Sequence, residues 1–421
     1  MYAMVDCNSF YCSCERLFDP ALEKRPVIVL SNNDGCAISR TDEAVSLGIA
    51  MGTPEFMIYE KIRKNNIAVF SSNYTLYQDL SERVMLTMGA FVPGMEIYSI
   101  DEAFLDMHDM PYEDLLHLAM RIRQTVIKDI GIPVSVGVAP TKTLAKMANR
   151  YAKKKQKDAG VFFAANPSLV SEMLESTDIK DIWGIGKQHS ALLKTNGFNN
   201  ASDLVKAPDA WILKHLTVVG HRLVTELRGI PSIQWEFNPP KRKNITTSRS
   251  FGELTADKNI ICEALANHAA SCAKKLRDQN TAAQKVHVFL QTNPHRTQDR
   301  QYSRSIDMEL PVPCNDNASI IKAALKGLDI IYQPCYNYKK VGIIVMDLVP
   351  DDTLQATLFH SNNVHRIKNL MKTVDDINRI KGKETIRMGI QVGEKKYRLR
   401  ANHLSKHYTT NINELPEINE P

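Results

Sequence analysis

The sequence predicts an α+β protein of several domains, on three observations. Strand-like and helix-like runs alternate through the first 165 residues, and the strand signal then disappears until about 232. A basic, proline-bearing stretch, Phe237-Asn-Pro-Pro-Lys-Arg-Lys243, then reads as a linker opening a second alternating unit that runs to about 350. With 421 residues, 43% apolar and 24% charged, the chain has material for about three cores, which excludes disordered, collagen-like and low-complexity classes. No run approaches the roughly 18 uninterrupted apolar residues of a membrane span, and Met1 to Phe10 lacks a basic then apolar leader pattern. A cytoplasmic protein with no membrane partner is expected.

The elements are justified in order by local signals. Tyr2 to Val5 is a short apolar run ending at Asp6, and a helix comes next through Ser13, Glu15, Arg16 and Phe18 until Asp19-Pro20 stops it. Pro26-Val-Ile-Val-Leu30 predicts a buried strand, broken by the turn-rich Ser31-Asn-Asn-Asp-Gly35, where a small subdomain departs to return near Ser71 to Tyr74. Residues 75 to 90 predict a helix, and Met95 to Met107 holds two β-rich halves meeting at Ile100-Asp101-Glu102-Ala103, a hairpin. Leu115 to Ile130 has amphipathic helical spacing, Ile132 to Val138 predicts a strand, and Thr141 caps a basic helix running toward Lys155. The expectation is a sheet with helices packed on one face. Short helices are expected from 165 to 232. Beyond the linker, strands are expected at Thr246 to Phe251, Val286 to Gln291, Tyr302 to Met308 and Val341 to Leu348, around helices at 258 to 277 and 317 to 333. The tail after Pro350 has fewer core-forming runs.

Eight cysteines, Cys7, Cys12, Cys14, Cys36, Cys262, Cys272, Cys314 and Cys335, form no C-x-x-C pair, and no closely spaced pair of histidines accompanies Cys12 and Cys14. Reduced thiols acting as small buried hydrophobes are expected. The net charge of +6 is unevenly placed: residues 1 to 110 carry 16 acidic and 8 basic side chains, so the positive excess lies in the rest. That asymmetry predicts a polyanion-binding body joined to an acidic head. The densest basic run, Lys142, Lys146, Arg150, Lys153, Lys154, Lys155 and Lys157, contains no acidic residue. A solvated helix face is one reading. A surface facing phosphate is the other, because like charges this close repel unless a polyanion neutralises them.

Three carboxylates stand out by position. Asp6 closes the first strand, while Asp101 and Glu102 are adjacent at the hairpin apex; neighbours in a regular strand point to opposite faces, so these two converge only if the chain turns there. Hard divalent cations such as Mg2+ take carboxylate oxygens, and two ions about 3.5–4 Å apart need carboxylates that bridge them. Asp6 and Asp101 could bridge both ions, Glu102 could support one, and the Cys7 carbonyl could complete the shell. On spacing alone a charged turn is the simpler reading of Asp101-Glu102. The residues just after Asp6 add weight to a cation site: Asn8 and Ser9 can cap the next helix, and amides from Cys7 to Phe10 can cradle a metal-bound triphosphate, with Lys153 in reach. Tyr11, on the first helical turn, falls where a nucleotide sugar would lie, or is an ordinary core aromatic.

Trp183-Gly-Ile-Gly186, followed by Ala191, Leu192 and Leu193, has the form of a helix-hairpin-helix. Gly184 and Gly186 flank Ile185 and let the backbone amides approach a DNA phosphate without reading sequence. A plain glycine turn between helices fits the same residues.

Taken in order, Asp6-Cys-Asn-Ser-Phe-Tyr-Cys-Ser-Cys-Glu15, Ser31-Asn-Asn-Asp-Gly-Cys36, Phe70-Ser-Ser-Asn-Tyr74, Tyr98-Ser-Ile-Asp-Glu-Ala-Phe104, Thr141-Lys-Thr-Leu-Ala-Lys146, Trp183-Gly-Ile-Gly186 and Ser248-Arg-Ser-Phe-Gly252 resemble the Y-family DNA polymerases. The nearest likeness is to the UmuC-type catalytic subunits of DNA polymerase V and their plasmid-borne relatives, and it covers essentially the whole chain. The resemblance implies a right-hand polymerase: palm at 1–31 and 75–165, fingers at 32–74, thumb with the helix-hairpin-helix at 166–237, a C-terminal little-finger α/β domain at 243–350, and a partner-binding tail at 351–421. It implies error-prone translesion synthesis in the SOS response to DNA damage, a nucleotidyl transfer on primer-template DNA that uses dNTP substrates and two Mg2+ ions. By the same resemblance Asp6 and Asp101 are metal carboxylates with Glu102 beside them, Tyr11 next to Phe10 is the steric gate against ribonucleotides, Lys153 touches the triphosphate and Arg249 touches template phosphate.

One departure from the family pattern stands out. Many members clamp the triphosphate with a Tyr and an Arg on the fingers helix, and in the register of Ser39-Arg-Thr-Asp-Glu-Ala-Val45 those places hold Asp42 and Val45; Arg40 is the substitute expected from charge. Gln355-Ala-Thr-Leu-Phe359 resembles the peptide that docks bacterial polymerases on the sliding clamp, with Leu358 and Phe359 filling an apolar pocket and Gln355 at its rim. The resemblance also implies a UmuD-type regulatory dimer and RecA as partners of the tail. Two alternatives remain at this point: a non-catalytic damaged-DNA-binding scaffold, and a nucleotidyl cyclase, which needs neither a thumb nor a tethered DNA domain.

Overall fold

The computed structural model describes residues 1–238, 240–352, 364–382, 384–393 and 399–415. The chain forms two units, Met1–Pro239 with Asn402–Pro421, and Pro240–Ala401.

In the first unit β1 (Tyr2–Cys7) leads into α1 (Phe10–Arg16). β2 (Val27–Leu30), β3 (Ala37–Arg40) and β4 (Ala68–Ser71) make a small sheet in the order β3-β2-β4, with α2 (Asp42–Ser46) and α3 (Glu55–Lys64) between β3 and β4. There follow α4 (Tyr74–Gly89), the hairpin of β5 (Met95–Ile97) and β6 (Glu102–Asp106), α5 (Leu115–Ile130), β7 (Val134–Ala139), α6 (Lys142–Lys155) and β8 (Val161–Phe163). The larger sheet runs β5-β6-β1-β7-β8, with β1 central and antiparallel to both β6 and β7.

Alternation along these strands sends Ala3, Val5, Leu105, Val136 and Val138 into a core shared with α4 and α5, and Tyr2, Met4 and Phe104 into a second core shared with α6. Helices therefore cover both faces, which corrects the expectation of one covered face. The reason was visible in β1, where Tyr2-Ala-Met-Val5 is apolar without alternation, as a strand buried on both sides must be. Gly137 brings α6 against β7: a Cβ at that position would fall 1.9 Å from the Asn149 amide nitrogen, a contact that only glycine avoids. α7 (Pro167–Ser176), α8 (Lys187–Thr195), α9 (Ala201–Val205) and α10 (Asp209–Leu227) extend the α6-side core through Met173, Leu193, Leu204, Ile212 and Val224.

The second unit comprises β9 (Ile245–Thr255), α11 (Lys258–Asp278), β10 (Thr281–Thr292), β11 (Ser303–Cys314), α12 (Asn317–Ile331), β12 (Tyr338–Pro350) and α13 (Val364–Lys381). Its four strands are antiparallel in the order β11-β10-β12-β9, and α11 and α12 bury Leu265, Ala269, Cys272, Ile320 and Leu328 against Val286, Val288, Ile343 and Val345. The tail contributes more structure than its composition suggests. α13 is tied to α11 by the paired bonds of Arg277 to Asp375, 2.7 and 2.8 Å, and residues 402–415 lie on the first unit.

All eight cysteines are free; Cys7, Cys12, Cys14 and Cys272 are buried as expected, whereas Cys335 is exposed in the turn between α12 and β12 at a φ of 70°. No helix among the described residues is long and apolar enough to cross a membrane.

Candidate active site

The acidic end of the larger sheet is built by register. Asp6 is the direct cross-strand partner of Glu102, the first residue of β6, so their side chains share the face that α6 covers. Asp101 lies one residue before the strand begins, where the chain turns: Tyr98 and Ser99 amides both donate to the Glu102 carbonyl, and the Asp101 carbonyl accepts from the Cys7 amide at 2.9 Å. The Ser99 hydroxyl donates to the Asp101 carboxylate at 2.6 Å and orients it. The expected turn is thus present, and Asp6, Asp101 and Glu102 are neighbours.

α6 supplies the counter-charges. Lys146 donates to Glu102 at 2.9 Å, Lys153 is ion-paired with Asp6, and one turn earlier Lys142 pairs with Glu96 at 2.6 Å. Lys142 and Lys146 are four residues apart and Lys153 lies two turns beyond Lys146, so the three form one stripe of the helix. The basic run is partly neutralised within the fold: Arg150 and Lys154 share Asp181, and Lys157 pairs with Asp42. Intramolecular carboxylates offset part of the like-charge repulsion in this run.

Burial pushes the Asp6 carboxyl up to about 6 against the pull of Lys153, and nearby Glu102 adds to the rise. The donor chemistry, carboxylate oxygens beside a backbone carbonyl, suits a hard divalent cation. The Cys7 thiol does not take part, because burial holds it well above the ordinary thiol range and so protonated. Among the described residues no three His, Cys, Asp or Glu side chains converge on one point; lysines hold two of the three carboxylates instead.

The nucleotide side differs in detail from the expectation. Neither Asn8 nor Ser9 caps α1: Ser9 sits at a φ of 46° and donates its hydroxyl to the Arg40 carbonyl, while the Asn8 side chain accepts from Ser135. The Cys7 and Asn8 amides bond the Asp101 and Pro133 carbonyls, which narrows the expected amide cradle to Ser9 and Phe10. Phe10 is buried, whereas Tyr11 is part-exposed and stacks on Tyr77 with ring centroids 4.4 Å apart and an interplanar angle of 15°. Burial pushes the Tyr11 hydroxyl up to about 12, with Tyr74 and the Asp101 carboxylate adding to the rise. Arg40 donates to the Ile49 carbonyl at 2.6 Å, Asp42 pairs with Lys157 at the surface, and Val45 is exposed.

Gly184 adopts a φ of 85°, and Gly186 caps α8 with no atom near its missing Cβ, so the backbone of this turn is open to a partner. Ile185 points the other way into the core and anchors the turn. The Trp183 indole donates to the Tyr98 hydroxyl at 3.1 Å, and the Lys146 ammonium lies 4.2 Å from the Tyr98 ring centroid. Arg249 is exposed on β9. Gln355, Leu358 and Phe359 lie outside the described residues. The residue pattern did not pick out Glu96, the buried partner of Lys142, or the pair Tyr77 and Glu15 beneath Tyr11; the in-phase spacing of Lys142, Lys146 and Lys153, read as a solvated or phosphate-facing surface, is the signal that could have led to the carboxylates opposite.

Comparison with known proteins agrees with this architecture. The impB/mucB/samB family model matches residues 5–150, the C-terminal-domain model of that family matches 242–358, and residues 368–418 match a domain of unknown function. Over 99% of its length the chain is 40% identical to Protein UmuC of Salmonella typhimurium, all of which is covered, and 37% identical to Protein ImpB of the same organism, 99% of which is covered. Its fold is similar to that of a solved Y-family DNA polymerase chimera, with a TM-score of 0.65 at 20% identity over 83% of this chain and 99% of that one. Identity of this order runs across both matched regions and the stretches between them, and the chain belongs to the impB/mucB/samB family, the UmuC-type Y-family DNA polymerases.

Proposed function

We propose that the error-prone translesion DNA synthesis of this chain runs through the acidic ends of β1 and β6. As a UmuC-type Y-family member the chain is a DNA-directed DNA polymerase of the SOS response, and its reaction is a nucleotidyl transfer with a divalent metal. The observation that carries the residue assignment is the register that sets Asp6 against Glu102 with Asp101 in the adjoining turn.

Asp6, Asp101, Glu102 and the Cys7 carbonyl are the groups that would hold two Mg2+ ions. When bound, magnesium neutralises the triphosphate and makes the primer 3′-hydroxyl a better nucleophile for in-line displacement of pyrophosphate. Ser99 keeps the Asp101 carboxylate oriented, and Lys146 balances Glu102. Lys153 is the cation that exchanges Asp6 for a nucleotide phosphate, and Arg40, whose carbonyl holds Ser9 at the start of α1, would leave the Ile49 carbonyl to join it. Tyr11, braced on Tyr77 and next to Phe10, fills the space that a ribose 2′-hydroxyl would need.

In this reading residues 1–31 and 75–165 form the palm, 32–74 the fingers, 166–237 the thumb and 243–350 the little finger. The Gly184-Ile185-Gly186 turn and Arg249 hold DNA phosphate, and the tail, including Gln355, Leu358 and Phe359, meets the sliding clamp, a UmuD-type dimer and RecA in the cytoplasm. The test is magnesium-dependent primer extension on undamaged and abasic templates, wild type against Asp101→Ala, with and without those partners. Extension that vanishes in Asp101→Ala supports the assignment. Tight primer-template binding without extension in any mixture favours a scaffold.

A further inference from the structure

Residues 402–415 contribute directly to the layer beneath Tyr11. The Ser71 amide donates to the His403 carbonyl at 2.9 Å and the His403 amide to the Ser71 hydroxyl at 3.0 Å. The Asn73 side-chain amide reaches the Ser405 carbonyl, the Ser405 hydroxyl and the Lys406 carbonyl at 3.3, 3.0 and 3.2 Å, and the Tyr408 ring stacks on Phe18 at 4.6 Å. The Ser405 hydroxyl donates to Glu15 Oε1 at 3.1 Å. That same oxygen accepts from the Tyr77 hydroxyl at 2.6 Å, and the Tyr77 ring is the surface on which Tyr11 is stacked.

Glu15 is 2% exposed and Tyr77 fully buried. Burial pushes the Glu15 carboxyl up, and the two hydroxyls are the groups that pull it back. A buried carboxylate held by hydroxyl donors depends on each of them, because losing one leaves part of its charge uncompensated away from water. The Tyr77 hydroxyl therefore has its position set from two sides, by its own ring in the core and by an oxygen that Ser405 also holds.

We propose that the C-terminal segment is part of the sugar gate: Ser405, acting through Glu15 and Tyr77, fixes the Tyr11 ring at the height that excludes a ribose 2′-hydroxyl. The proposal rests on the reading of Tyr11 as the steric gate. It gives residues 402–415, which fall in the region matching a domain of unknown function, a positioning role in substrate selection. Ribose and deoxyribose differ by one oxygen, so a ring displaced by a fraction of an ångström is enough to alter the choice.

The experiment measures kcat and KM for a deoxynucleotide and the matching ribonucleotide with the full chain, in wild type, Ser405→Ala, Ser405→Thr, Tyr77→Phe, Tyr77→Phe/Ser405→Ala and Tyr11→Ala. Ser405→Ala is expected to lower the deoxy-to-ribo ratio of kcat/KM by about two- to ten-fold, the range one hydrogen bond spans. The change should come through a lower ribonucleotide KM, with deoxynucleotide kcat at the wild-type value. Ser405→Thr, which keeps the hydroxyl, should retain the ratio, and Ser405→Ala should add nothing on top of Tyr77→Phe. If Tyr11→Ala lowers the ratio while Ser405→Ala leaves it at wild type, the segment is not part of the gate and the proposal fails alone, whatever Tyr77→Phe does. If Tyr11→Ala leaves the ratio unchanged, the gate reading fails and takes the proposal with it.

Discussion

Asp6 and Glu102 face each other across the β1–β6 ladder, and each has its own lysine from one helix, Lys153 and Lys146. Two carboxylates brought together at a sheet end repel, and desolvation adds to the cost; two ammonium groups on one stripe of α6 offset both. The acidic cluster can therefore fold without a divalent cation, and in the proposed reading Lys153 is the group that a cation and a triphosphate would rearrange.

Proton competition at Asp6 follows from its raised pKa of about 6. Below that value the carboxyl is increasingly protonated and a cation must displace the proton, so the magnesium needed for half-maximal primer extension should rise as pH falls through about 6. Lys153→Met removes the charge that holds this pKa down, so the rise should begin at higher pH. Magnesium titrations of primer extension between about pH 5.5 and 8 measure both effects; a requirement that stays flat in both proteins would exclude Asp6 as a ligand.

Gly137→Ala should be among the most damaging single-atom changes in the first unit. The added methyl would lie 1.9 Å from the Asn149 amide nitrogen and 2.5 Å from the Ala145 carbonyl oxygen, so α6 must lift off the sheet. A loss of roughly 3 kcal/mol or more is expected, with Lys146 and Lys153 drawn away from their carboxylates. Chemical denaturation of the soluble variant, followed by tryptophan fluorescence, tests it.

The Lys142–Glu96 pair is buried, with 1% and 11% of the two side chains exposed, and Lys142 also donates to the Gln234 carbonyl at 2.7 Å and lies 4.7 Å from the Trp235 ring centroid. Glu96→Gln leaves a buried ammonium without its carboxylate and should cost about 3–5 kcal/mol. The double change Lys142→Met/Glu96→Leu removes both charges and should recover most of that loss. Equal destabilisation by the single and the double change in denaturation curves would refute the charge argument.

His268, buried on α11, is held at about 4 by desolvation and by the charges of Arg249 and Lys275. Its folded pKa lies below the unfolded value of about 6.5, so the unfolded chain takes up the proton first. Stability of the second unit is then full above about 6.5 and falls as pH drops toward 4, by about 3 kcal/mol across the window. Hydrogen exchange of α11 amides at neutral and acid pH should show this loss in the wild type and a much smaller one in His268→Gln.

Much of the first unit was legible because its signals are local. The hairpin at residues 95–106, the helix at Leu115–Ile130 and the Thr141 cap, whose hydroxyl accepts from the Leu144 amide at 3.2 Å, each depend on residues within a few positions of one another. The caps expected of Asn8 and Ser9 failed for a non-local reason: β3 offers Ser9 the Arg40 carbonyl and β7 offers Asn8 the Ser135 hydroxyl, and both bonds hold the start of α1 against its neighbours.

The sequence by itself determined many of the strands and helices, that an acidic residue lies near the end of the first strand, and that an acidic pair sits at a hairpin. These features arise from periodicity and turn chemistry, which act over a handful of residues. Only the tertiary structure decided what each charge meets: which carboxylate each α6 lysine neutralises, that helices cover both faces of the sheet, and that Ser405 bonds Glu15 across 390 positions of chain. The physical reason is that charge compensation and burial are properties of neighbours in space, and the order of residues along the chain specifies those neighbours only once it has folded.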